Sequence, residues 1–379
     1  MKSVSFVRAI KVEIYPSPEQ IKIIEETFGH CRFVYNHMLE RNNKVYKRRK
    51  EHLSRADMQK ILTGMKDYLP WLKNVDSHAL QHACKNLDAA YKNFFNGRGG
   101  YPNFKHKHDS EQSYTTDQNI HYAPGVVTLP ILKKIKCSVK KSLPNNAKIC
   151  QATVSRKNGR YYVSITYKFE KNVEKVPANE DKAIGLDYKS DGLYMTDEGV
   201  SAEMPHYYKN SQKQLKRAQQ SLSRKKGSRK GEKKSNNWNK QNKKVNKIYE
   251  HTANQRKDFL HKTSKEIVNQ NSVICVEDLN MTEIVHKHDY RNFHKRTYDN
   301  AYGTFLNMLE YKCEELGKNF VKVDKNYPST QLCFDCGSLT GPTDDTVRKW
   351  TCSYCGKTHG RDVNAARNIK KQGLLILAS

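Results

Sequence analysis

The chain has 379 residues, of which 68 are Lys or Arg and 39 are Asp or Glu, so its formal net charge is +29 at pH 7. This length permits two or three domains with a sizeable core, and the charge predicts a polyanionic partner, above all nucleic acid. No apolar run approaches the roughly 18 residues that a membrane span needs, and none follows Met1 and Lys2, so neither a membrane protein nor a signal peptide is expected.

The first half of the chain predicts a small β-barrel with a helical insertion. Residues 5–14 alternate apolar and charged side chains, as a half-buried strand does, and Ser17 is a candidate N-cap for the next helix. From residue 20 to 95 apolar side chains recur every three or four positions, which predicts helices. Short β-type runs then occupy residues 101–169. We expect these runs to form a barrel that the N-terminal strand completes.

The second half predicts an α/β domain with an acidic site. One buried strand ends at Asp187, another ends at Glu277, and Asp362 begins a helix. Acids at strand ends meet at one edge of an α/β sheet. Three carboxylates there suit two Mg²⁺ ions, one activating water and one stabilising the leaving 3′ oxygen, as in RNase H-like cleavage of phosphodiesters. The alternative is that each acid is only a turn or cap residue.

Four cysteines have the spacing of a zinc ribbon. Two Cys-x2-Cys pairs, at 333–336 and 352–355, suit a tetrahedral site in which all four ligands are protein thiolates, so a structural Zn²⁺ is expected. His359 is a weaker competing ligand and is expected instead to cap a helix or contact phosphate. The remaining cysteines are expected to be small core residues in a reducing cytoplasm. They are Cys31, Cys84, Cys137, Cys150, Cys275 and Cys313.

A strongly basic segment lies between residues 209 and 247, with fifteen Lys and Arg and one acid, Glu232. We expect two antiparallel helices around a low-complexity turn. Uncompensated positive charge repels itself unless phosphates neutralise it, which favours a nucleic-acid contact; a solvated helical face is the alternative. Aromatic residues stand among charges at Phe104, Tyr207 and Tyr208, where they either stack on bases or pack in the core.

These residues in this order resemble the TnpB family, transposon-encoded RNA-guided DNA endonucleases related to type V CRISPR effectors. The resemblance covers nearly the whole chain and is most specific in the last block, which contains the second cysteine pair and Asp362. The matching blocks are residues 15–20, 31–36, 79–81, 86–87, 90–95, 101–105, 185–187, 219–225, 277–279, 329–333 and 350–369.

The resemblance implies a multidomain α+β architecture that agrees with the patterning. An OB-like wedge β-barrel is interrupted by a helical recognition domain and followed by an RNase H-like (RuvC) α/β nuclease domain with an inserted zinc ribbon. The implied bounds are 1–15 and 101–180 for the barrel, 16–100 for the recognition domain, 181–325 and 361–379 for the nuclease domain with its basic helical hairpin at 205–270, and 326–360 for the ribbon.

The resemblance also implies the functional residues. The catalytic acids that bind the two Mg²⁺ ions map onto Asp187, Glu277 and Asp362. The zinc ligands map onto Cys333, Cys336, Cys352 and Cys355. Contacts to a short transposon-adjacent DNA motif map onto Ser77, His78, Gln81 and Asn119. The amide side chains of Gln81 and Asn119 are of the kind that can recognise adenine. Contacts to the nucleic-acid backbone are expected at Lys213, Lys216, Arg217, Arg224 and Lys225.

The implied partners are a guide RNA from the transposon end and double-stranded target DNA, with one protein monomer per RNA in the prokaryotic cytosol or nucleoid. Lys189 stands where the family usually has Gly, and Gly360 where it usually has Asp, but all three acids are retained. We therefore expect Mg²⁺-dependent cutting of DNA beside the motif. The alternatives are a nuclease-inactive RNA-guided repressor, a strand-joining transposase, and an RNA-binding or structural zinc protein.

Overall fold

The computed structural model describes residues 2–107, 109, 111–138, 141–190, 192–229, 231–281, 301–344 and 346–379. Two compact units are present, Ser3–Lys171 and a second unit that contains Asn172–Ser379. Helices and strands occur in both units, so the predicted α+β class is confirmed. Within the described ranges, no helix combines the length and the apolar character needed to cross a membrane.

The first unit contains a seven-stranded sheet with the strand order β2-β6-β7-β1-β5-β4-β3. The strands are β1 (Lys2–Tyr15), β2 (Glu111–Thr116), β3 (His121–Ala123), β4 (Val126–Leu129), β5 (Lys133–Cys137), β6 (Lys148–Lys157) and β7 (Arg160–Val173). The N-terminal strand lies in the middle, between β7 and β5. Its alternating apolar residues are buried at Phe6, Val12 and Ile14.

Three helices stand between β1 and β2 in the chain. They are α1 (Pro18–Arg49), α2 (Arg55–Tyr68) and α3 (Ser77–Phe95). Helix α1 begins at the predicted cap, because the Ser17 hydroxyl accepts from the Gln20 amide and the Gln20 side chain accepts from the Ser17 amide. The helical region is divided because Ser54 caps a new helix and Pro70 opens a short 3-10 turn.

The second unit contains a four-stranded sheet with the order β11-β10-β8-β9. The strands are β8 (Ala183–Tyr188), β9 (Tyr194–Thr196), β10 (Val273–Glu277) and β11 (Asn319–Val323). Strand β10 runs parallel to both β8 and β11, whereas β9 is antiparallel to β8. Four described helices belong to this unit: α4 (Tyr207–Ser223), α5 (Asn236–Gln270), α6 (Tyr302–Leu316) and α7 (Arg361–Ala378).

The basic segment forms the two predicted helices, α4 and α5. They are joined by hydrogen bonds from the Gln219 amide to the Tyr249 hydroxyl (2.9 Å) and from the Gln241 amide to the Ala218 carbonyl (2.9 Å). Part of the low-complexity turn, Lys230, lies outside the described residues. A small hairpin of β12 (Lys349–Thr351) and β13 (Thr358–Gly360) precedes α7.

Candidate active site

The parallel pairing of β8 and β10 brings two of the predicted acids to the same edge of the sheet. Leu186 is paired with Val276, and each strand continues by one residue to an acid, Asp187 on β8 and Glu277 on β10. Both strands are almost wholly buried, because helices cover the sheet. Their carboxyl ends therefore place the two carboxylates side by side in a largely buried setting.

Helix α7 brings the third acid to this edge. Asp362 lies in the first turn of α7, where the helix N-terminus favours negative charge. The helix packs on β8 through Ala366, whose carbonyl oxygen would be 2.0 Å from a Cβ added at Gly185. Only glycine permits this approach, so the Gly-Leu-Asp sequence of β8 serves both the packing of α7 and the placement of Asp187.

The three acids interact electrostatically. The Asp187 side chain is only 8% exposed, and burial followed by the negative charges of Glu277 and Asp362 raises its pKa well above the usual range. Arg361 opposes this effect. Burial raises the pKa of Glu277 to about 7. The Ser329 hydroxyl donates to Glu277 Oε1 at 3.4 Å, and this hydrogen bond lowers the pKa by a smaller amount. Ionised carboxylates are thus unfavourable here without a compensating positive charge.

This donor set fits a hard divalent cation. Carboxylate oxygens are the ligands that Mg²⁺ prefers, and a few of them suffice because the ion retains water ligands. Among the described residues, the groups with three or more candidate ligand atoms within 4.8 Å of one another all contain cysteine, so the three acids are more widely spaced. Mutual repulsion of three carboxylates is consistent with that wider spacing.

The four cysteines of the predicted ribbon do converge. The Sγ atoms of Cys333, Cys336, Cys352 and Cys355 lie within 4.8 Å of one another. The Cys333–Cys355 and Cys336–Cys352 pairs are 3.6 and 3.7 Å apart. A tetrahedral ion with metal–sulfur bonds of about 2.3 Å requires sulfur–sulfur separations of roughly 3.8 Å, so the cluster fits Zn²⁺.

His359 differs from its prediction. It is 7% exposed, its ring lies 4.8 Å from that of Trp350, and its Nε2 is 3.1 Å from Cys333 Sγ. The alternation of β13 directs this side chain inward, and no side chain caps α7, so His359 does not have the expected capping role. Cys333, Asp335 and His359 instead form a group that could hold a metal ion, as the competing ligand role requires. Of the six other cysteines, Cys150 is exposed and the remaining five are buried as predicted.

Two asparagines that sequence reasoning did not single out connect the cysteine cluster to the helix that carries Asp362. Asn364 and Asn368 are buried one turn apart on α7. Asn368 Nδ2 donates to the carbonyls of Ser329 and Leu332, both at 2.8 Å, and Asn364 Nδ2 donates to Leu332 at 2.7 Å. The sequence could have indicated these two residues, because they are amides at positions i and i+4 on an otherwise apolar helix face.

A second unpredicted network joins β8 to α7 through Asp197. Its carboxylate accepts from the Gly185 amide at 3.0 Å and from Lys370 Nζ at 3.0 Å, and its carbonyl accepts from Arg367 Nε at 3.1 Å. Asp197 is 9% exposed, so it is held as a buried ion pair. These bonds orient the strand of Asp187 relative to the helix of Asp362.

The two departures from the usual family residues are compatible with the site. Lys189 donates to Ser201 Oγ at 3.3 Å in the turn beside β9. Gly360 is the N-cap of α7, and a Cβ there would meet Val363 only at 4.0 Å. Neither residue occupies the position of one of the acids.

The residues expected to contact the DNA motif lie in the first unit. Ser77, His78 and Gln81 lie in the first two turns of α3, and Asn119 follows β2 with a positive φ of 49°. Asp117 joins the two segments, with Oδ1 2.6 Å from His78 Nδ1 and Oδ2 3.0 Å from His82 Nε2. The structure therefore brings the helix start and the loop of Asn119 together.

The five residues expected to contact the nucleic-acid backbone are all exposed. Leu215 is buried on the opposite side of α4, so the charged side chains line its solvent face or the turn that follows. These residues are Lys213, Lys216, Arg217, Arg224 and Lys225.

Comparison with known proteins shows the family to which the chain belongs. The family model described as "Helix-turn-helix domain" (HTH_OrfB_IS605) matches residues 6–51, "Probable transposase" (OrfB_IS605) matches 164–287 and "Cas12f1-like, TNB domain" matches 302–369. A Streptomyces pristinaespiralis protein provisionally named RNA-guided DNA endonuclease is 33% identical over 98% of this chain and 90% of its own length. The chain belongs to the TnpB family.

Other relatives agree with this assignment. An Escherichia coli K12 protein with the same provisional name is 29% identical over 98% of this chain and 94% of its own length. The TnpB-like protein L770 of Acanthamoeba polyphaga mimivirus is 24% identical over 98% of this chain and 74% of its own length. A chain of the Cas12f1–sgRNA–target DNA complex, solved by cryo-EM, shares the fold with a TM-score of 0.57 and 12% identity, covering 97% of this chain and 99% of that one.

Proposed function

We propose that this protein is an RNA-guided DNA endonuclease that cuts double-stranded DNA beside a short transposon-adjacent motif, using a guide RNA from the transposon end. The observation that carries the proposal is the placement of the three acids. Asp187 and Glu277 lie at the carboxyl ends of the paired parallel strands β8 and β10, and Asp362 lies in the first turn of α7, which packs on β8. Perturbed carboxylates gathered in this way are characteristic of catalytic sites. The endonuclease names of its relatives support the same activity.

In this proposal Asp187, Glu277 and Asp362 hold two Mg²⁺ ions. When bound, these ions would supply the positive charge needed to activate a water molecule and to stabilise the leaving 3′ oxygen of the phosphodiester. The Ser329 hydroxyl fixes Oε1 of Glu277, and burial holds the Asp187 carboxylate away from competing water. Arg348 Nη1, 3.6 Å from Asp362 Oδ1, offers a cation for a phosphate of the bound strand.

The architecture of the proposal follows the family. Residues 1–15 and 101–180 form the wedge barrel, residues 16–100 form the recognition domain, and a RuvC-type nuclease domain carries a zinc ribbon at 326–360. Zn²⁺ at the four cysteines has a structural role, because protein sulfur fills every ligand position. Base pairing with the guide supplies sequence recognition, and Gln81 and Asn119 contact the adjacent motif.

The direct test is cleavage by protein purified with its co-expressed transposon-end RNA. The substrate is a guide-matched plasmid library with randomised flanking bases, assayed in Mg²⁺. We expect double-strand cuts that depend on the flanking motif and disappear in the Asp187→Ala, Glu277→Ala and Asp362→Ala variants, while DNA binding persists. Cutting retained in any of the three removes that residue from the site. Motif-dependent binding without cuts by the parent protein supports the guided-repressor alternative instead.

A further inference from the structure

A groove runs along an exposed face of α1 in the first unit. It has a volume of about 350 Å³ and is lined by Gly29, Arg32, Phe33, Asn36, His37 and Phe104, with Glu40 at its edge. Gly29 leaves open space at the groove, because a Cβ there would meet only the Arg32 guanidinium, at 3.8 Å. The volume is that of a small-ligand site.

Aromatic rings line the groove. Phe33 is stacked with His37 at a centroid distance of 5.8 Å and makes an edge-to-face contact with Trp71 at 5.0 Å. Phe104 also lines the groove. The Phe33 and Phe104 side chains are 37% and 47% exposed, so neither ring is buried in the hydrophobic core. Phe104 was expected either to stack on bases or to pack in the core, and its exposure excludes core packing.

Phe104 is held in place by its neighbour in the chain. Asn36 of α1 makes two hydrogen bonds with the backbone of Lys105, donating to its carbonyl at 2.9 Å and accepting from its amide at 2.8 Å. The Lys105 ammonium also lies 4.2 Å from the centroid of the Tyr35 ring. An exposed ring fixed by its backbone loses little conformational freedom when a partner stacks on it.

The charge around the groove selects a polyanion. Beyond His37 and Glu40 it continues into a second depression of about 480 Å³, lined also by Arg41, Lys44, Arg48 and Arg49. Glu40, the acid of this surface, is paired with Lys44 at 2.6 Å. The lining of this second depression thus carries four cationic side chains and one acid.

We propose that this groove holds an unpaired nucleotide of the bound RNA, with its base against the exposed rings of Phe33 and Phe104 and its backbone directed along Arg41, Lys44 and Arg48. Every base has a π-face, so such a platform tolerates any sequence. RNA is the proposed occupant because its loops and ends present unpaired bases before any target DNA is bound. The proposal rests on the RNA partner of the proposed function.

The first test measures affinity for a short single-stranded polyuridine RNA as a function of salt. Phe104→Ala and Phe33→Ala are each expected to weaken binding about 5- to 100-fold, whereas Phe104→Trp stays within about threefold of the parent. Phe104→Ala leaves the slope of log K against log salt unchanged, while Arg41→Gln lowers its magnitude by about 0.7. Tyr68→Ala, which removes another exposed aromatic ring of the same unit, is the matched control and leaves affinity unchanged.

The second test locates the RNA in the complete complex. Phe104→p-azidophenylalanine protein, purified with its co-expressed RNA and irradiated without DNA, is expected to form an RNA adduct at position 104; the same substitution at Tyr68 forms none. Unchanged affinities together with no adduct at 104, in a complex that contains RNA, overturn the groove proposal. An adduct that forms only after target DNA is added assigns the groove to DNA and overturns it as well. Failure of the parent protein to bind RNA overturns the proposed function itself.

Discussion

Gly185 of β8 lies against Ala366 of α7 so closely that a Cβ on Gly185 would be 2.0 Å from the Ala366 carbonyl oxygen. This contact sets the distance between the strand that carries Asp187 and the helix whose first turn carries Asp362. Backbone atoms on both sides make the contact, so no side-chain rearrangement can relieve it. The spacing of Asp187 and Asp362 therefore depends on the absence of a Cβ at Gly185.

Gly185→Ala is expected to displace α7 and to lower the free energy of unfolding by about 3 kcal/mol or more, because overpacking against backbone cannot relax. Cleavage should fall with it, since Asp362 moves relative to Asp187. Gly64→Ala in α2 is the control: nothing lies within 4 Å of its added Cβ, and it should stabilise by about 0.5–1 kcal/mol. Urea unfolding of both variants measures the difference, and equal midpoints would contradict the role given to the contact.

Glu277→Gln should stabilise the protein in magnesium-free buffer. The folded-state pKa of Glu277 is raised to about 7 from an ordinary 4.5, so its ionisation opposes folding. This penalty is absent below pH 4.5, grows between pH 4.5 and 7, and is complete above pH 7, where it is on the order of 3 kcal/mol. Thermal unfolding at pH 5 and pH 8 should show a gain for the variant only at pH 8. Added Mg²⁺ should stabilise the parent more than the variant.

Cys352→Ser should release the metal of the cysteine cluster and destabilise the second unit, because a structural zinc site contributes folding free energy. The measurement is metal content by mass spectrometry together with thermal unfolding. We expect about one zinc per chain in the parent protein and little in the variant. Cys150→Ser, which changes an exposed cysteine of the first unit, should alter neither value. A zinc content equal to that of the parent would refute the cluster.

Asn368→Ala should destabilise the protein by about 1–3 kcal/mol, because the carbonyls of Ser329 and Leu332 lose a buried donor. The segment that carries both Ser329 and Cys333 then loosens, so the concentration of Mg²⁺ needed for half-maximal cleavage should rise. Asn254→Ala, at an exposed position of α5, should change stability by less than about 0.5 kcal/mol. Chemical unfolding and a magnesium titration separate the two effects.

Asp117→Asn should weaken motif-dependent cleavage, because this carboxylate joins the start of α3 to the loop of Asn119 through His78 and His82. A guide-matched substrate whose target strand is already unpaired needs no motif to open the duplex, so its cleavage should be unaffected. Asp88→Asn, which removes an ion pair with Lys92 on the outside of the same helix, is the control. Equal losses on both substrates would indicate a general defect.

The features that were predictable from sequence are those in which local spacing dictates geometry. The two Cys-x2-Cys pairs converge because each forms its own turn, and the strand-end acids share an edge because β8 and β10 are parallel. The Asp197 network was not predictable, since it joins residues far apart in the chain whose pairing depends on how α7 packs. The same holds for the inward orientation of His359, which follows from hairpin register.

The central position of β1 has a consequence for synthesis of the protein. Its neighbours in the sheet, β5 and β7, end at Cys137 and Val173, so the first strand leaves the ribosome long before either partner exists. Helices α1 to α3 emerge in the interval and can form from local contacts alone. The first strand must therefore remain unpaired while the whole helical segment is synthesised. Its charged residues Arg8, Lys11 and Glu13 discourage edge-to-edge association during that interval.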